Sequence, residues 1–155
     1  MSTDQERLLS TAKAILPPTP SAMAEFVAAQ EELAANLTAR LRERPDIDRL
    51  VGPGNLAMME DNSRNFFRFM SSLLAHYEPE VLVQTVLWVF RAYRAHGFQL
   101  AFWPAELDIV TELLREKLSP ETFKSIYPFY HWMIINNPAF TALSDQQPST
   151  PAPSH

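Results

Sequence analysis

The chain has 155 residues, 46% of them hydrophobic, a formal net charge of -5 and no cysteine. That length suffices for one domain with a buried core, and the missing cysteine excludes disulfides, thiolate metal sites, cysteine nucleophiles and thioether-linked tetrapyrroles. The acidic balance argues against nucleic acid as a partner, no apolar run approaches the roughly 20 residues of a bilayer span, and no basic leader precedes an apolar stretch, so the expectation is a soluble, cytoplasmic protein with no membrane association.

From the N-terminus, the short apolar run after Lys13 and the prolines at 17, 18 and 20 predict a small leading helix and a Pro-rich linker over residues 1–20. A helix follows with Ser21 as its cap, lining up Phe26, Leu33, Leu37 and Leu41 on one face and ending before Pro45. The segment RPDIDRLV predicts a short helical turn with Pro45 at its first position, and Gly52-Pro53-Gly54 a loop after it. The next helix spans about 56–76, with Met59, Phe66, Met70 and Leu73 or Leu74 inward. Pro79 opens another, placing Leu82, Val86, Val89 or Phe90, and Tyr93 on one face until Gly97 stops it, with His96 in its last turn.

Pro104 opens the following helix, with Leu107, Val110, Leu114 and Leu118 inward. Ser119 caps the last one, Pro120 begins it, Phe123, Ile126, Tyr130 and Met133 or Ile134 face the core, and Pro128 is expected to kink it. The final QQPSTPAPSH has almost no apolar content to offset ordering, so residues 144–155 read as a disordered Pro/Ser tail and the folded body as 21–143. Apolar spacing is helical and no alternating run occurs, which makes the fold all-α with about six helices.

Five segments in this order resemble the bacterial globins and the related globin-like sensor domains, over roughly residues 24–135. They are LRERPDIDRLV at the early corner, the Met- and Phe-rich helix from Leu56, YEPEVL at the entry to the next helix, His96 near that helix's end, and FWPAELDIVTELL after it. The resemblance implies a globin-like helical sandwich, with haem as cofactor held between the helix from Leu56 and the helix from Pro79.

It also implies His96 as the iron ligand. The segment from His96 to Pro104 is about one residue longer than in typical bacterial globins, which leaves Tyr93 as the alternative ligand. A distal residue would come from the Asn62 to Phe66 stretch, Leu37 would pack above the iron, and Phe90 and Val51 join the cofactor-contacting set. Leu50 and Val51 stand where the family carries an aromatic wedge. Arg91 and Arg94 would reach the propionates.

The implied function is binding or sensing of a diatomic gas such as oxygen. The alternative is a haem-free globin-like regulatory or sensory module, its pocket empty, filled by side chains or holding a fatty acid, with a protein partner met by Phe102 and Trp103 at an exposed turn.

Taken alone, His96 and His76 also suit helix-end positions, His131 reads as a packing residue, and Met58-Met59 as gap filling. No Gly-rich phosphate loop, GxSxG elbow or HExxH is present, and the chain has only three glycines, which leaves few places for close backbone approach to a phosphate. No carboxylate sits in an apolar run that would raise its pKa. The expectation is a binding protein and not an enzyme.

Overall fold

The computed structural model describes residues 3–145; of the Pro/Ser tail expected over 144–155, residues 144 and 145 end a helix and 146–155 lie outside the described residues. Among the described residues every element is a helix: α1 Thr3–Lys13, α2 Pro20–Arg42, α3 Ile47–Val51, α4 Leu56–Ala75, α5 Pro79–Ala95, α6 Phe102–Lys117, α7 Pro120–Ile135 and α8 Asn137–Asp145. The all-α reading holds, with eight helices in place of about six. None is long and apolar enough to cross a membrane.

Local chemistry sets most of the helix starts. Thr19, not Ser21, caps α2: its Oγ1 accepts from the Ala22 N–H at 3.2 Å, and Pro20 follows with φ already suited to a helix. Ser119 caps α7 in the same way, with Pro120 next to it. The Glu25 carboxylate of α2 accepts from the Ser119 backbone N–H at 2.7 Å, the Ser119 hydroxyl at 2.9 Å and the Thr122 hydroxyl at 2.7 Å, which fastens the start of α7 to α2. Those bonds hold the Glu25 carboxyl below its usual range. Residue 128 does not interrupt α7, which runs through Pro128 to Ile135.

α2 packs on α4, α6 and α7, and α6 packs on α7. Their shared interior holds Phe26, Phe67 and Tyr130, rings that meet edge-on or tilted at 6.3 to 6.5 Å between centroids. α4 and α5 share no extended packing.

The first helix, expected as an appendage, is part of this body. Leu8 and Ala12 are fully buried, α1 lies on α5, the Tyr77 hydroxyl donates to the Ala12 carbonyl at 2.5 Å, and the Trp132 indole N–H donates to Thr11 Oγ1 at 2.9 Å. α8 is a second addition, burying Phe140 and Leu143 against α5.

The expected exposed aromatic turn is also corrected. α6 begins at Phe102, two residues before Pro104, and both Phe102 and Trp103 are buried. Trp103 stacks on Phe90 at 4.9 Å, and Phe102 meets Phe98 edge-on at 5.1 Å. Neither ring is available as a partner anchor.

A cleft between α4 and α5

Where α4 and α5 stand apart, a cleft of about 650 Å³ opens, walled also by α6 and by Met133 of α7. Its size lies in the usual range for small-molecule sites. Phe66, Phe69, Trp88, Val89, Phe90, Trp103 and Leu107 make its lining largely apolar. Two more open grooves elsewhere, of about 440 and 450 Å³, have more charged or polar linings and enclose less.

Five of the seven residues singled out in the sequence meet here: Asn62 and Phe66 from α4, and Phe90, Tyr93 and His96 from α5. Helical spacing brings the α5 set together, since 86, 89, 90, 93 and 96 recur along one side of the helix. Leu37 and Val51 do not line the cleft. Leu37 is fully buried on α2, and Val51 is fully buried at the end of α3, so both serve the core on other faces of the body.

His96 is the exposed C-cap of α5, and its Nδ1 lies 2.8 Å from the Ala92 carbonyl. A proton on Nδ1 donated to that carbonyl leaves Nε2 with its lone pair. The turn around it is latched to the loop after α3. Asn55 Nδ2 donates to the His96 carbonyl at 2.7 Å and to the Val51 carbonyl at 2.8 Å, and the Gln99 N–H donates to the Leu50 carbonyl at 2.7 Å.

Arg91 and Arg94, expected to face propionates, turn to α8 instead. Arg91 donates to the Leu143 carbonyl at 3.2 Å, and Arg94 donates to Ser144 Oγ at 3.1 Å and pairs with Asp145. The helix that was not anticipated is what engages them.

The residue the sequence reading missed is Glu106. It lies on α6, 1% exposed, in the cleft wall. With its amide nitrogen turned toward the acid, Asn62 donates to the two Glu106 oxygens at 3.0 and 3.2 Å. Burial pushes the Glu106 carboxyl up to about 8, so it is largely protonated at neutral pH. Tyr93, from the opposite wall, is raised by burial and hydrogen-bonds the Asn62 side chain. Tyr130 of α7 stands behind, raised by burial and by Glu106, and its buried hydroxyl finds no partner. Thr85 Oγ1, on the cleft lining, is buried and unpartnered too.

A signal for Glu106 was present. It precedes Val110 by four residues and Leu113 by seven, which places it on the apolar face of its helix. The expectation that no carboxylate sits in an apolar setting is therefore overturned.

These side chains do not fit a haem as they stand. A macrocycle between α4 and α5 would lie against Asn62, Tyr93 and the buried, chargeable Glu106, while His96 sits exposed. Among the described residues no group of three or more His, Asp or Glu side chains forms a metal site. No protein-family model, curated protein or solved structure matches the chain.

Proposed function

We propose that this chain is a globin-like binding or sensory domain that works without haem, its α4–α5 cleft taking an apolar small molecule with one polar group. The observation that carries this is the Tyr93–Asn62–Glu106 network, polar groups from three helices converging on one point of an otherwise apolar wall. Such a site selects by shape and by one hydrogen-bonding position. The globin-like part of the reading rests on the order of the segments described above and on a cleft between the two helices where that family holds its cofactor.

No catalytic group is assigned. Glu106 is a buried acid, and the role given to it is recognition.

A haem-binding, gas-sensing reading keeps one observation, the His96 Nδ1 to Ala92 carbonyl bond, which orients the imidazole as a ligand histidine is oriented. Absorption spectra from 350 to 700 nm of protein expressed with haem supplementation, in ferric, ferrous and carbon-monoxide-bound forms, separate the two. The haem-free reading expects a colourless folded protein. A Soret band at one haem per chain that shifts with the gas would replace it with the gas-binding reading.

A further inference from the structure

Glu106 is the deepest chargeable group of the cleft, and its surroundings define what it can receive. Among the described residues no Lys, Arg or His pairs with it: Arg91 and Arg94 are engaged by α8, and Arg40 reaches from α2 to Glu112 and Glu116 further along α6. The titratable groups facing it are Tyr93 from α5 and Tyr130 from α7, with Asn62 from α4 as a neutral partner. His96 and Arg68 line the same cleft, both exposed.

A carboxylate in that position is unfavourable unless a cation reaches it. The cleft walls include the aromatic side chains of Phe66, Phe90, Tyr93 and Trp103, a residue type that packs against apolar bodies and attracts cations to its ring faces. Thr85 Oγ1 is a buried acceptor on the same lining without a partner.

Resting on the reading of the cleft as a haem-free small-molecule site, we infer that its ligand is a hydrophobic amine, the ammonium docked on Glu106 and the apolar body among Phe66, Phe90, Tyr93 and Trp103. A fatty acid suits the site less well, because its carboxylate would meet a second acid at Glu106.

Docking converts neutral Glu106 to a carboxylate, so each bound ammonium releases one proton to solvent near neutral pH. Affinity therefore rises with pH up to the Glu106 pKa in the free protein, about 8, by about tenfold per unit well below it, and then levels off. An alkyl ammonium itself stays charged to about pH 10. A carboxylate ligand would favour protonated Glu106, so its affinity would stay level below pH 8 and fall above it.

Three probes of one shape test this by calorimetry on the full chain: 4-phenylbutylamine, 4-phenylbutan-1-ol and 4-phenylbutyrate, each at pH 6, 7 and 8 and in two buffers of different ionisation enthalpy. The amine is expected to bind at least tenfold more tightly than the alcohol at pH 8, with proton release approaching one per site at pH 6 and 7. Glu106→Gln is expected to remove both the amine preference and the pH slope. Its melting transition checks that the variant is folded. Alcohol and amine binding equally with no pH slope would overturn the amine inference and leave the cleft reading intact, as would tightest binding by the butyrate. No binding by any of the three would overturn the amine inference, and the cleft reading is then judged separately by its own apolar probe.

Discussion

Asn62 of α4 and Glu106 of α6 meet inside the cleft, an amide terminal atom lying 3.0 and 3.2 Å from the two carboxyl oxygens. The partnership works in either protonation state. A neutral acid donates its proton to the amide oxygen, and a carboxylate accepts from the amide nitrogen. Tyr93, hydrogen-bonded to the same side chain, completes the set across the cleft.

The first prediction concerns pH. The Glu106 pKa is raised from 4.5 to about 8 by burial, so between those values the folded state holds a proton that the unfolded state has lost. Stability from this group is fully present below about pH 4.5 and declines by about 1.4 kcal/mol per pH unit toward pH 8, then changes no further. Glu106→Gln removes that term. Chemical denaturation of both proteins from pH 5 to 8 should show the wild type losing ground steadily to the variant, and other titrating groups cancel in the difference. Parallel curves would mean that Glu106 is not the buried neutral acid described.

α1 provides the second. Leu8 is fully buried, and α1 is tied to the body through Thr11 and Ala12. Leu8→Ala should cost about 2–5 kcal/mol, the range for truncating a buried leucine. A leading helix that merely accompanied the domain would lose almost nothing in the same urea titration.

The third distinguishes two glycines of one loop. Gly52 has φ +90°, and a Cβ there would stand 2.8 Å from the Gly97 carbonyl oxygen, backbone that cannot give way cheaply. Gly54 has φ +76° with nothing within 4 Å. Gly54→Ala should cost about 1 kcal/mol, from backbone strain alone, and Gly52→Ala roughly 2–3 kcal/mol. Equal thermal shifts would show that the loop does not press on the turn after His96.

The fourth uses His96. It is exposed and bonded to its own helix through Ala92. Its replacement by alanine should leave the far-ultraviolet circular dichroism and the uptake of an apolar probe by the cleft nearly unchanged. A large loss of either would return His96 to the centre of the site.

Helix starts were legible because proline and a capping hydroxyl act locally, as at Pro79 and at Ser119 with Pro120. The cap of α2 at Thr19 was displaced from Ser21 by two residues because both hydroxyl residues flank Pro20. The α5 face was also legible, since Phe90, Tyr93 and His96 follow helical spacing into the cleft. The burial of Phe102 and Trp103 was not, because it depends on Phe90 and Phe98 arriving from elsewhere in the chain.

Glu106 was not singled out, because charged residues on amphipathic helices commonly face solvent. Its register against Val110 and Leu113 pointed inward, but only its closeness to Asn62 and Tyr93 turns that register into a site. α8 went unread because NPAFTALSD is short and gains its order from packing on α5.

The most direct measurement is a fluorescence titration of the full chain with N-phenyl-1-naphthylamine, run beside Ala92→Trp. Ala92 lies on α5 in the cleft lining, so an added indole there takes up space assigned to the ligand. The account expects saturable uptake of one probe per wild-type chain and its loss in the folded variant. No saturable uptake by the wild type, or equal uptake by both proteins, would contradict the claim that the α4–α5 cleft is a small-molecule site.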